Sequence, residues 1–299
     1  MTQNNLLLSK IRESAGLRLC MLFGLMFFLL IISSIITEFL RSSDTIGERN
    51  GLLLSSAIQS ILVFVIPALC CGYFSSNRPY KWLEIDDKIT IRNIVGIVIV
   101  FVISLPAMNQ LIDWNENIAF PESMSGLETI LRQWEETGKQ TTEILLNTSG
   151  FSQVITGILI IGVLTGLSEE LFFRGALQKI FTDTSLRAIG AIWIGAIIFS
   201  AFHFQFFGFF PRMIMGAFFG YLLYWTGSIW SSIFAHALNN SMVVVISSYF
   251  PESNGEKGLI ETIGLTSSGV PWMAVISCCL TIVFLILFKN YFFYNNKNN

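Results

Sequence analysis

Charged side chains are scarce in this chain: Asp, Glu, Lys and Arg make up 13% of its 299 residues, and hydrophobic residues make up 53%. Soluble domains carry roughly 25% charged residues. With a mean hydropathy of +0.64, the deficit excludes a soluble globular domain and leaves an integral membrane protein, read as one polytopic unit. The formal net charge is −2, so the basic excess expected of a nucleic-acid partner is missing. Histidine occurs only twice, at His203 and His236. The five cysteines, Cys20, Cys70, Cys71, Cys278 and Cys279, are odd in number, form no C-x-x-C and sit in apolar runs. They read as lipid- or core-facing side chains, with neither disulfides nor a thiolate metal site. H-E-x-x-H, the usual helix-borne zinc motif, is absent. There is no internal repeat, and the only low-complexity stretch is the Asn/Lys tail Asn295–Asn299. The first apolar run follows Lys10, Arg12 and Arg18, exceeds 20 residues and lacks a clear A-x-A site. It reads as a signal anchor and not a cleaved leader.

Apolar length is what the chain does have. A membrane-spanning helix needs about 20 apolar residues. Eight segments qualify as candidates: 17–39, 52–74, 93–112, 151–181, 188–204, 209–226, 228–248 and 271–292. The expected fold is therefore all-α, with about eight transmembrane helices and a site inside the bundle. Three regions follow: an N-terminal membrane region (1–150), a helical core (151–248) and a last helix with its tail (249–299). The run 113–150 is polar and acidic. Within it, Leu127–Leu146 has apolar residues at helical spacing, as in an amphipathic helix outside the membrane or lying on it.

Orientation follows from Lys and Arg. With the N-terminus inside, the inner side holds Lys10, Arg12, Arg18, Arg78, Lys81, Lys88, Arg92, Lys179, Arg187, Lys289 and Lys297. The outer side holds Arg41, Arg49, Arg132, Lys139, Arg212 and Lys257. Eleven against six favours two cytoplasmic termini and an external 113–150 segment.

Against this background one stretch stands apart. Residues 164–175, Leu-Thr-Gly-Leu-Ser-Glu-Glu-Leu-Phe-Phe-Arg-Gly, put Glu169, Glu170 and Arg174 inside an apolar helix. A charge at membrane depth costs several kcal/mol on most scales and marks a working site by default. The turn after it, Thr182–Leu186, has Asp183 and Ser185 as breakers. Glu169 precedes Ser185, and His203 follows it, by roughly 24 and 27 Å of helical rise, which gives the two similar depths. His236 and Asn240 lie about 12 and 18 Å beyond Ser228, so the hairpin must protrude for all four groups to meet. Gln178, Lys179 and Asp183 are polar enough for that protrusion.

Faces add to depths. His236 and Asn240, Glu170 and Arg174, and Phe199 and His203 are each i, i+4 pairs on one helix face. Adjacent Glu169 and Glu170 point about 100° apart. One can face a cavity while the other pairs with Arg174. Two histidines, a carboxylate and an amide in a low-dielectric cavity suit activation of a water. Burial raises a carboxylate's proton affinity, which suits a general base, and histidine can relay the proton. His236 with Asn240 could donate to a developing oxyanion. Glu169, His203 and His236 could instead hold zinc or another divalent metal, so metal use is left open.

Each residue also has a plainer reading. Either histidine could be an interhelical hydrogen-bonding group, Glu170–Arg174 a structural ion pair, Phe199–His203 ordinary packing, and Asn239, Asn240 and Ser241 interhelical glue. Asn147-Thr-Ser and Asn239-Asn240-Ser match the glycosylation pattern by chance, the second at membrane depth.

Together these residues carry a resemblance. Glu169-Glu170-x-x-x-Arg174, Phe199-x-x-x-His203 and His236-x-x-x-Asn240 resemble, in this order, the three motifs of the CPBP family of intramembrane proteases. That family comprises the type II CAAX prenyl proteases and the bacteriocin-processing, or Abi, proteins. Arg174-Gly175-Ala176-Leu177 resembles the family's R-G-x-L, and Tyr224–Trp230 its turn before the third motif. The likeness covers about 150–248. It implies an eight-helix enzyme that cleaves peptide bonds of membrane-associated or lipidated proteins or peptides. Glu169 and His203 would activate water, His236 and Asn240 would form the oxyanion site, and Glu170, Arg174 and Phe199 would support the geometry. The family has been described both with and without metal. The expected partners are the lipid bilayer and a protein or peptide substrate. A short polar tail and no organelle signal point to a bacterial inner membrane. Two other classes were weighed. A non-enzymatic scaffold or immunity protein has no use for such costly buried groups. A proton-coupled transporter would call for paired broken helices or two-half symmetry.

Overall fold

The computed structural model describes residues 9–41, 47–148, 150–184, 186–250, 258–266 and 269–296, without the side chains of 41 and 291–296. The breaker Ser185, the third residue of the Asn147 pattern (Ser149), Lys257, Lys297 and the end of the tail lie outside it, as does the side chain of Arg41.

The chain is all-helical, and among the described residues there is no strand. In chain order the helices are α1 (Ala15–Arg41), α2 (Glu48–Ser75), α3 (Ile91–Glu116), α4 (Ser125–Leu146) and α5 (Phe151–Thr182). They continue as α6 (Ala188–Ala201), α7 (Phe209–Thr226), α8 (Ile229–Tyr249) and α9 (Trp272–Asn296). Helices suit these sequences because lipid offers no partner to an open backbone N–H or C=O, which must be satisfied within the segment. Among the described residues seven helices (α1, α2, α3, α5, α7, α8 and α9) are long and apolar enough to cross a membrane.

The eighth expected span differs. α6 is only 14 residues long, a rise of about 21 Å against a hydrocarbon core of about 30 Å. It stops because the chain turns: His203 N–H donates to Ser200 O, Phe204 N–H to Ala201 O, and Phe204 adopts a left-handed φ of 54°. Ser200 Oγ then bonds Phe209 O at 2.6 Å and ties the two ends of the turn together. His203 therefore lies in a turn, where its sequence predicts the end of a longer helix.

α5 is the central helix. Its Phe172, Phe173, Leu177 and Ile180 are almost fully buried, against Leu22 and Met26 of α1, Leu83, and Ile229 of α8. At one end of the bundle Asp183 accepts from Arg18 at 2.6 Å and from Trp82 at 3.3 Å, and Lys179 reaches Glu84 at 3.4 Å. Lys179 and Asp183 are thus tied into the bundle's end. Gln178 is buried outright and does not protrude, contrary to expectation. At the other end Arg49 donates to Leu145 O at 2.9 Å and Gln153 O at 3.1 Å, which joins α2 to α4 and α5. Gly227, with φ 67°, makes the left-handed cap that reverses the chain from α7 into α8. Cys20, Cys278 and Cys279 are exposed on α1 and α9, and Cys71 is buried.

Candidate active site

Between helices in lipid there is little hydrophobic driving force, so small residues and interhelical hydrogen bonds set the contacts. Two small-residue seams on either side of α5 build this site. In the first, Gly162 and Gly166 of α5 meet α8. A Cβ on Gly166 would stand 2.9 Å from Ala237 N and 3.1 Å from Ala237 Cα, and one on Gly162 would overlap Ser241 Oγ. This close crossing brings Glu169 and Glu170, one turn further along α5, beside His236, one residue before Ala237. In the second seam Arg174 and Gln178 of α5 reach Gly216 and Gly220 of α7. Arg174 Nη2 donates to Gly216 O at 2.8 Å, and Gln178 Nε2 to Gly220 O at 3.3 Å. A Cβ on Gly216 would come within 3.2 Å of Arg174 Nη2.

α5 itself is irregular. Ile158–Leu164 and Leu171–Gln178 are π-helical, and the α-helical stretch Thr165–Glu170 between them carries both glutamates. Such π segments inside α-helices are frequent at functional sites. Two carbonyls of the first segment take side-chain donors: Thr165 Oγ1 bonds Ile160 O at 3.0 Å, and Asn240 Nδ2 bonds Ile161 O at 3.2 Å. Asn240 is thereby oriented toward α5. One of its two N–H donors is used there, and its Oδ1 accepts from Asn239.

The centre is a buried chain of charge. Arg174 Nη1 donates to Glu170 Oε1 at 2.7 Å, with the side chains 2% and 0% exposed. The same oxygen accepts from His236 Nδ1 at 2.8 Å. On the other edge of that imidazole, Nε2 lies 3.8 Å from Glu169 Oε2. His236 is thus held between two carboxylates. Its ring stacks on Phe219 (centroids 4.9 Å, interplanar angle 19°) and meets the edge of Phe199. Phe199 also lies under the Arg174 guanidinium, 4.6 Å from its centroid. The expected division of labour between adjacent glutamates is what the geometry has: Glu170 pairs with Arg174, while Glu169 is the more open of the two, at 13% side-chain exposure.

His203 joins from the α6–α7 turn. Its Nδ1 is 3.0 Å from Phe199 O. A carbonyl can only accept, so Nδ1 carries the proton and Nε2 of the neutral ring is left as an acceptor. Phe199 lies between the two imidazoles, with ring centroids 5.1 Å from His203 and 5.7 Å from His236. A catalytic zinc takes three protein ligands. Glu169 and His236 bring two donors together, but among the described residues no group of three His, Cys, Asp or Glu side chains gathers to hold a metal.

The turn carrying His203 is roofed by α4. Glu135 accepts from Phe207 N–H at 3.1 Å and from Gln205 Nε2 at 3.3 Å, and Arg132 lies 3.6 Å over the Phe207 ring. Asn115 of α3 holds Phe206 O and Phe210 N–H. Sequence reasoning missed Glu135, Asn115, Gln178 and both glycine seams. The G-x-x-x-G spacings at 162/166 and 216/220 were there to be read. Nothing local marks Glu135, whose partner is 72 residues away.

Residues 151–242 match the family model described as Type II CAAX prenyl endopeptidase Rce1-like. The matched region runs from the start of α5 into α8 and encloses Glu169, Glu170, Arg174, Phe199, His203, His236 and Asn240. The likeness read from the three motifs is thus borne out for this region at the level of the family. No curated protein and no solved structure matches the chain.

Proposed function

We propose that this protein is an intramembrane endopeptidase that hydrolyses a peptide bond in a membrane-associated or lipidated protein or peptide. One observation carries the reading: His236 is held between Glu170 and Glu169, at 2.8 and 3.8 Å, inside the region that matches a CAAX-type endopeptidase family. Residues 151–248 form the catalytic core.

In the reaction, Glu169 and the free Nε2 of His203 take a proton from a water as its oxygen attacks the scissile carbonyl carbon. The carbonyl π bond opens, and hydrogen-bond donors stabilise the resulting oxyanion. Asn240 supplies the Nδ2–H left over from its bond to Ile161 O. His236 has its Nδ1–H committed to Glu170, so it donates through Nε2 only as an imidazolium. Arg174 and Glu170 already form one neutral pair; a charged Glu169 balances that imidazolium until it takes the proton, and the oxyanion balances it afterwards. As the intermediate collapses, the C–N bond breaks and the amine leaves with the proton taken from water. Glu170, Arg174 and Phe199 position these groups.

The surplus of Lys and Arg on one side supports two cytoplasmic termini and α4 on the outer face. The function is tested by incubating purified wild type and Glu169→Gln with a membrane proteome and comparing new peptide termini. Termini produced only by wild type support hydrolysis at this site. Identical profiles favour a scaffold that has kept the fold.

A further inference from the structure

Between them α3 and α9 leave a groove of about 570 Å³. Its walls are Val95, Ile99, Phe284 and Leu287. Its floor is Gly96, on which the Phe288 ring rests so closely that any Cβ there would overlap it. Arg92 is the only charged residue lining it and closes one end. Lys88, one turn before Arg92, and Lys289, next to Phe288, are exposed at the same end of the bundle. Asp86 and Asp87 precede them, in a loop whose backbone is engaged with the start of α8: Trp230 Nε1 donates to Ile85 O and Ser228 Oγ to Asp87 O. From Arg92 to Ile99 the groove runs about 10 Å along α3, the upper part of an acyl chain below its headgroup.

An apolar cleft between two spanning helices, closed by Arg92 at one end with Lys88 and Lys289 exposed at that end of the bundle, has the chemistry of a phospholipid site. Basic pockets between transmembrane helices bind anionic headgroups. We propose that this groove binds one anionic phospholipid, with its phosphodiester on Arg92, Lys88 and Lys289 and one acyl chain along Gly96 and Phe288. The site is independent of the proteolytic reading. Phe288 belongs to the same apolar group as Phe219, which stacks on His236.

Native mass spectrometry of the full chain in detergent, with added phosphatidylglycerol or phosphatidylcholine, tests this. One phosphatidylglycerol should be retained in preference to phosphatidylcholine. Arg92→Gln should weaken it about fivefold, the factor expected for one basic side chain at an anionic surface, while Arg92→Lys keeps most of the affinity. Ile99→Trp fills the groove, leaves Arg92 intact and should also release the lipid. Circular dichroism and elution volume check that each variant is folded. Equal retention of the two lipids, or no effect of Arg92→Gln in a folded variant, would overturn the proposal. So would displacement by a C15 isoprenyl alcohol as effective as by phosphatidylglycerol, or glycerol 3-phosphate binding as tightly as the lipid.

Discussion

Glu170 Oε1 accepts two hydrogen bonds at once, from His236 Nδ1 at 2.8 Å and from Arg174 Nη1 at 2.7 Å. One buried oxygen thus links α5 to α8. Through Arg174 Nη2 on Gly216 O, the link extends to α7. Three helices are fixed relative to one another by a single arginine–glutamate–histidine chain, with Glu169 left as the more open carboxylate at its edge.

Breaking that chain should cost stability before it costs chemistry. Glu170→Gln or Arg174→Gln leaves one buried charge uncompensated, a loss of about 3–5 kcal/mol. Lower abundance and a lower melting temperature of the solubilised protein are expected. Full abundance with selective loss of turnover would instead move these two residues into the catalytic set.

The glycine seam between α5 and α8 makes a sharper prediction. Gly166→Ala forces a Cβ to 2.9 Å from Ala237 N, and overpacking of this kind costs about 1–3 kcal/mol. Gly24→Ala on α1, where a Cβ would meet nothing within 4 Å, should leave the melting temperature unchanged. Equal melting temperatures for the two variants would mean the seam is not as tight as described.

The α4 roof should act through His203. Glu135→Ala removes the acceptor for Phe207 N–H and Gln205 Nε2 and loosens the turn on which His203 stands. A misplacement of about 1 Å can cost up to 10²-fold in rate. A fall in kcat of about ten- to hundredfold, with KM little changed, is expected from steady-state kinetics. A change confined to KM would assign α4 to substrate binding.

Orientation is open to labelling. A cysteine introduced at 130–145 should react with an impermeant reagent applied from outside, and one at 183–186 should not. External labelling at 183–186 reverses the topology.

Much of this architecture was legible because lipid makes sequence explicit. The predicted spans 209–226 and 228–248 differ from α7 and α8 by at most a residue at each end. The amphipathic Leu127–Leu146 is α4 to within two residues. The i, i+4 spacing of Glu170 and Arg174 gave their ion pair, because helical neighbours need no tertiary information to meet. Other features depended on the chain folding back on itself. The end of α6 was misplaced because residues 202–204 are as apolar or aromatic as the helix before them, and the break comes from the left-handed Phe204 and the Ser200–Phe209 bond. The contact of His236 with Glu170 spans 66 residues and is set by the glycine crossing, which polarity alone does not reveal. Gln178 was read as a surface residue for its polarity, yet it is buried because a backbone carbonyl of α7 awaits it.

The most direct measurement is a double-mutant cycle on turnover, using a substrate identified from termini that only wild type produces. If Glu169 and His203 serve one water, Glu169→Gln and His203→Ala should each abolish most turnover. The double variant should be little worse, because groups acting as a unit are not additive. Asn240→Ala should keep a residue of activity, since one oxyanion donor is worth about 10²–10³ in rate. Wild-type turnover in both Glu169→Gln and His203→Ala would contradict the account and leave the buried chain of charge a structural device alone.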